Sequence, residues 1–322
     1  MSDAALPYDL YGLTGGNPYA QRALDPLKRP DDGRRLLGLD GFVQHERVSH
    51  YLRGKIEDQE PAFVLIGGRN LTGRTSMANW ALDKYFALRG TDRRFLDIRI
   101  EITNHENFDA FRTAMARLWA RTRTVSGLAL KPEVAAGLKQ SIDEASADFY
   151  QELFQVALHE VSVQLESREN PYALGFLFEG VKNAEFVRTA KSIFADSAAV
   201  VFTYDDYDHA QTADARTFRT EQFDDMLNVY LEPLRGPQVC LLAERRWQDA
   251  SERTFPFEAE GLEALYRNRP TPIKMVLKRL QDFLDYRLEL AAPAAAAWPE
   301  NGQLFMDQHW LMTTSKFKEK SP

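Results

Sequence analysis

Apolar residues fall along the chain in two registers. Pro61–Ile66 reads Pro-Ala-Phe-Val-Leu-Ile and stops at Gly67-Gly68, and Ala198–Tyr204 reads Ala-Ala-Val-Val-Phe-Thr-Tyr and stops at Asp205-Asp206. Short unbroken apolar runs closed by turn formers predict strands buried on both faces, as parallel sheets require. Gln238–Ala243 has the same appearance and is read as a further strand. Phe95–Ile102 instead alternates apolar and charged residues, which predicts an edge strand or one with a less buried face. Between these runs, Thr75–Leu88 places Met77, Trp80, Ala81, Phe86 and Leu88 at helical spacing. His45–Ile56, Phe108–Arg123, Pro132–Glu166, Ala184–Phe194 and Glu221–Leu231 are read as helices as well. Strands alternating with helices predict right-handed crossovers and a mostly parallel sheet covered on both faces.

The two ends of the chain break this alternation. Residues 1–40 are rich in turn formers such as Gly12, Gly15, Gly16, Pro18, Pro26 and Pro30, which predicts an irregular arm, not a packed unit. Beyond Phe255 the pattern is helical: Glu260–Arg267, a break at Pro270-Thr271-Pro272, then Ile273–Leu290 with Leu277, Leu280, Leu284 and Leu288 in register. Four units result: an arm and first helix over 1–54, a core over 55–254, a helical lid over 255–290, and a linker and tail over 291–322. In the last, Ala291–Pro299 is a linker, and the apolar island Leu304–Met312 either packs on the chain's own core or docks as an amphipathic helix in a partner's groove.

Composition narrows the function classes. A chain of 322 residues, 44% hydrophobic and 27% charged, can bury a full core without metals or disulfides. With 40 Lys and Arg against 47 Asp and Glu, the net charge of -7 speaks against nucleic acid or an anionic membrane as the main partner. It does not exclude a local patch such as Arg112, Arg117, Arg121 and Arg123 around Trp119, for which a solvated helix face is the simpler account. The single cysteine, Cys240, excludes an intrachain disulfide and a cysteine zinc site, and His159, His209 and His309 stand apart from one another. The N-terminus has no basic start and apolar stretch, and no window approaches ~18 uninterrupted apolar residues, so a cytoplasmic protein is expected.

The sharpest chemical signal is Gly68-Arg69-Asn70-Leu71-Thr72-Gly73-Arg74-Thr75, between a strand and a helix. It fits the phosphate-loop pattern at both glycines and at the hydroxyl residue, with Arg74 where lysine is usual. Glycines let successive backbone N–H groups turn inward around a phosphate while the following helix presents its positive end. Gly68, Arg69, Asn70, Leu71, Thr72, Gly73, Arg74, Thr75 and Ser76 are therefore candidate nucleotide contacts, against the simpler reading of a glycine turn that opens a helix. Asp205 and Asp206 close a second strand; Asp205 with Thr75 is a candidate Mg2+ pair, Asp206 is a candidate for activating water, and Arg74 is a candidate catalytic contact to phosphate.

From Asn17 to Leu290 the chain resembles P-loop NTPases of the AAA+ and STAND group. The loop stands at a degenerate Walker A and Val200–Asp206 at Walker B. Asn17-Pro18-Tyr19 and Leu39–Arg47, with Gln44 and His45 where the family carries Gly-Arg, resemble the segments that precede its first core helix and approach the adenine. Val239–Ala243 followed by Glu244-Arg245-Arg246 stands at sensor 1, and Arg269–Lys274, with Pro272 and Lys274, resembles the sensor 2 turn without its glycine; taken singly, Arg245, Arg246 and Lys274 are more simply solvated helix-end charges. The resemblance implies an α/β fold, a three-layer αβα P-loop NTPase sandwich with a mostly parallel sheet and a small helical lid. It implies ATP or ADP with Mg2+ as ligands, and a conformational or assembly switch that forms a homo-oligomer or works with a sensor or effector on a separate polypeptide. Arginine in place of lysine threatens hydrolysis more than binding, so slow or absent hydrolysis is expected. The alternative is a scaffold that kept the fold and binds a protein partner without using nucleotide.

Overall fold

The computed structural model describes residues 6–19, 22–36, 45–90, 94–102, 107–125, 127–169, 171–194, 198–206, 223–291 and 304–318. Five strands form one sheet: β1 (Ala62–Gly68), β2 (Arg94–Glu101), β3 (Tyr172–Glu179), β4 (Ala198–Asp205) and β5 (Met226–Leu231). Their order is β2-β3-β4-β1-β5 and every pairing is parallel. The loop-bearing strand β1 is thus central, with the aspartate-bearing β4 on one side and β5 on the other, and Gly68 is in register with both Asp205 and Leu231.

Alternation along β1 divides the core. Ala62, Val64 and Ile66 face one apolar cluster, and Phe63 and Leu65 face the other. The second cluster is closed by α4 (Asn107–Thr124), α5 (Pro132–Glu144), α6 (Gln151–Glu166) and α7 (Ala184–Ile193), which follow α1 (Asp32–Arg35), α2 (His45–Glu57) and α3 (Arg74–Leu88) in the chain. The first cluster is closed by α2, α3, α8 (Gly236–Gln248), α9 (Ala259–Tyr266), α10 (Ile273–Ala291) and α11 (Gln308–Lys318). The expected αβα sandwich with its helical C-terminal region is the observed architecture, and β2 takes the edge position that its alternation indicated.

Four local readings are corrected. Gln238–Ala243 is not a strand but the middle of α8, where Pro237 opens the helix and Arg235 caps it. Met226–Leu231, read as the end of a helix, is β5, with Leu227, Val229 and Leu231 buried at every second position. Tyr172–Glu179 drew no strand reading, yet it is the wholly apolar strand β3, buried along its length except at Glu179. The helical stretch 132–166 is two helices, broken at 145–150.

The ends are packed. Tyr11, Leu13, Tyr19 and Leu24 of the irregular arm are buried, Tyr11 donates its hydroxyl to Leu304 O at 3.0 Å, and Tyr19 donates to Ala243 O at 3.1 Å. Leu304, Met306 and Leu311 of the apolar island are buried in the first cluster, so the island packs on the chain's own core. Residues 292–303 of the linker, the stretch 37–44 and the end beyond 318 lie outside the described residues.

Candidate functional site

The site grows out of one tight approach. At the end of β1, a Cβ on Gly68 would lie 2.7 Å from the backbone oxygen of Leu231 and 2.7 Å from Thr72 Oγ1, so only glycine lets the chain leave the sheet here. The following turn is closed by Thr72, whose N–H and Oγ1 both donate to Arg69 O. Gly73, at a φ of +91°, then sets the N-cap of α3. The first turn of a helix leaves its N–H groups without intrahelical partners. In α3 that turn begins at Arg74 and borders a cavity of about 260 Å3.

Several parts of the chain wall this cavity, among them Leu231 of β5 and Leu242 and Arg246 of α8. The loop supplies Asn70 to Ser76, the lid supplies Ile273 and Lys274 at the start of α10, and the arm supplies Arg22, Leu24 and Arg35. These parts are tied to one another: Lys274 N–H donates to Leu71 O at 3.1 Å, Leu24 N–H to Ser76 Oγ at 3.0 Å, and Asn79 Nδ2 to Leu24 O at 2.8 Å.

Of the residues singled out from sequence, Asn70, Leu71, Thr72, Gly73, Arg74, Thr75, Ser76 and Lys274 line the cavity. Gly68 and Arg69 shape the loop behind it, and Pro272 accepts the first N–H bonds of α10. Pro18 and Tyr19 stand elsewhere: Tyr19 is fully buried against α8, and Asn17 Nδ2 donates to Asp285 Oδ1 at 2.9 Å, so this element ties the arm to the lid. Arg245 is exposed and does not reach the cavity, because its place at a strand end vanished with the strand. Gln44 lies outside the described residues.

The two aspartates are both engaged. Asp205 Oδ2 accepts from Arg74 Nη2 at 2.8 Å, with the two side chains only 16% and 17% exposed, and Asp206 Oδ2 accepts from the Tyr230 hydroxyl at 2.6 Å. A third carboxylate, Glu179, closes β3 on the far side of β4 and escaped sequence reading together with its strand. Among the described residues no group of three or more His, Cys, Asp or Glu could hold a metal ion. Asp205, expected with Thr75 to hold Mg2+, is thus paired with the Arg74 guanidinium.

Arg246, whose simpler reading from sequence was a solvated charge at the end of an element, is buried instead. Helical periodicity puts Leu242 and Arg246 of α8 on one inner face, and both line the cavity. Arg246 is 3% exposed, and among the described residues its Nε and Nη1 find no hydrogen-bond partner. Burial, reinforced by repulsion from Arg35, holds its pKa down to about 10, so the guanidinium stays charged at neutral pH. Arg22, beside it, is held in a fork by Asp32. The cavity therefore carries a buried cation with two donors unsatisfied among the described residues and with Asp32 and Asp249 only near it, the kind of group that a bound anion or acceptor would satisfy.

His45, at the start of α2, lines the cavity and stacks on Trp80 with ring centroids 4.0 Å apart and planes 24° from parallel. Its Nε2 is buried without a partner, and burial, aided by Lys84, depresses its pKa to about 4. A depressed histidine contributes stability that is present above the unfolded value near 6.5 and lost as pH falls toward 4, because only the unfolded chain takes the proton in that window. His45→Phe keeps the stack and removes this proton. It should flatten the fall in Tm between pH 6.5 and 4 relative to the parent protein; equal slopes would show that His45 is not the group responsible.

The fold and the loop together define an αβα sandwich with a ligand-sized cavity where the central strand meets its helix and lid. No protein-family profile matches the sequence, and no curated protein sequence is significantly similar to it. Solved structures share its fold. The Aeropyrum pernix ORC2 protein in its ADPNP–ADP complexes superposes with a TM-score of 0.53 at 12% identity, covering 96% of this chain and 76% of that one. The Aeropyrum pernix ORC1 protein in complex with DNA gives a TM-score of 0.50 at 12% identity, covering 90% and 68%. No helix among the described residues is long and apolar enough to cross a membrane.

Proposed function

We propose that this protein binds a nucleoside polyphosphate, ATP or ADP, in the cavity in front of the β1–α3 loop, and acts as a conformational or assembly switch of AAA+/STAND type with slow or absent hydrolysis. The observation that carries the reading is the composite wall. Loop, lid and arm each line one cavity, and the lid is fastened to the loop through the Lys274 N–H to Leu71 O bond. An occupant that contacts both the loop and α10 binds one lid position better than others, which is what a switch needs. The nucleotides in the ORC2 complexes support this use of the shared fold. The DNA in the ORC1 complex is not carried over, since a net charge of -7 opposes a polyanion as the main partner. The partner is a second copy of the chain or a separate sensor or effector protein.

The competing reading is a scaffold that binds a protein without using nucleotide. It draws on Phe149, Val156 and Val163, exposed at seven-residue spacing just before and along α6. Calorimetry and a thermal scan with ATP and with ADP separate the two. The switch reading expects a rise in Tm that grows with ligand, worth about 2.7 kcal/mol at 100 times Kd. No binding of either nucleotide at millimolar concentration would leave only the scaffold.

A further inference from the structure

We infer that the site binds its nucleotide without a divalent cation, the Arg74 guanidinium standing between Asp205 and the phosphates in the cation's place; this rests on the nucleotide reading above. The first step is the ion pair. Arg74 Nη2 and Asp205 Oδ2 are 2.8 Å apart and both side chains are largely withdrawn from water, so the pair is weakly screened. The guanidinium is a planar, delocalised cation whose fork matches a carboxylate. A divalent ion at Asp205 would have to break this pair or settle beside a fixed positive charge, and a shielded site makes either costly.

The second step is the bridging geometry that arginine offers and lysine does not. The guanidinium has five N–H donors in a planar fork, and among the described residues Arg74 spends one of them on Asp205. Arg74 also lines the cavity at the first residue of α3, so the remaining donors are in place for phosphate oxygens. One planar cation thus spans a carboxylate on β4 and an anion at the α3 N-terminus, the link that a metal ion would otherwise make. The third step is Asp206, whose Oδ2 is tied to the Tyr230 hydroxyl at 2.6 Å on β5. The second carboxylate is therefore held across the sheet as well and not presented as part of an open metal pair.

The test compares ADP binding to the full chain in excess EDTA and in millimolar Mg2+, with ATP as a second probe. The expected result is a Kd that differs by no more than about threefold between the two buffers. Arg74→Lys shortens the reach to Asp205 and releases it toward a metal ion, so this variant should bind at least about tenfold more tightly with Mg2+ than with EDTA. Binding by the parent protein that weakens about tenfold or more in EDTA would overturn the proposal while leaving the nucleotide reading intact. An Arg74→Lys variant that remains indifferent to Mg2+ would also overturn it, since Arg74 would then not be what displaces the metal. Absence of binding in both buffers would overturn the nucleotide reading and this proposal together.

Discussion

Arg246→Met should stabilise the ligand-free protein and weaken nucleotide binding about 10- to 100-fold, a pair of effects with opposite signs. The stability arm follows from what Arg246 lacks. At 3% exposure its Nε and Nη1 have no hydrogen-bond partner among the described residues, and its pKa is held down to about 10 by burial and by Arg35. A folded value below the ordinary one of a guanidinium means that the cation is penalised in the native state, and at pH 7 the whole penalty applies. Methionine keeps an unbranched apolar stem against Leu242 and removes two orphaned donors, each worth about 1–3 kcal/mol when buried unsatisfied. The binding arm follows from what Arg246 can give, a charged donor at the cavity wall whose bond to an acceptor contributes about 1.5–3 kcal/mol. Denaturant melts and calorimetry on the same preparation read both arms. A destabilised variant with unchanged affinity would show that Arg246 serves packing instead.

That residue also shows where the sequence was legible and where it was not. The loop, its strand and its helix could be placed because Phe63–Ile66, two glycines and a helical apolar pattern occur in unbroken order, and local geometry of this kind needs no long-range information. The lid could be placed for a similar reason: Leu277, Leu280, Leu284 and Leu288 form one stripe, and all four are buried. The stretch 226–248 inverted, because Val-Cys-Leu-Leu-Ala reads equally well as a buried strand or as one side of a helix. The Pro237 at its start was the arbitrating signal, since proline opens helices and interrupts central strands. Reading it as a strand made the exposed Arg245 the charge of interest, when helical phase turns its neighbour Arg246 inward.

Strand β3 was missed for a different reason. Tyr172–Glu179 lies inside a long helical region, and its place between β2 and β4 and under the aromatic side chains of α4 and α7 is a fact of topology and not of periodicity. The Arg74–Asp205 pair was beyond reach for the same cause. Loop and aspartates were each visible, but 131 residues separate the pair, and only the register of Gly68 with Asp205 puts a guanidinium where a metal ion was expected.

Leu311→Ala should cost about 2–5 kcal/mol of stability and speed nucleotide release, although residue 311 lines no part of the cavity. Leu311 is fully buried in the same cluster as Val64 and Ile66 of the central strand. It sits one residue from Trp310, whose ring meets Phe283 at 5.9 Å and Tyr286 at 6.2 Å, so α11 braces the outer side of the lid helix α10. The backbone adds a clasp, with Glu258 N–H donating to Met306 O at 3.0 Å and Met306 N–H to Pro256 O at 2.7 Å. Removing three side-chain carbons, a methine and two methyls, from this brace leaves a cavity that rigid surroundings fill only in part, which sets the stability cost. The effect on ligand follows from the other end of α10, where Lys274 holds the loop carbonyl of Leu71. A lid that opens more often releases its ligand faster while association changes little, because affinity differences among variants fall mainly in the off-rate. Met312→Ala, at a position 36% exposed on the same helix, supplies the control and should leave both readouts unchanged. An unaltered Tm for Leu311→Ala would mean that α11 is not seated on the core in solution, and would return it to the role of a segment that docks on a partner.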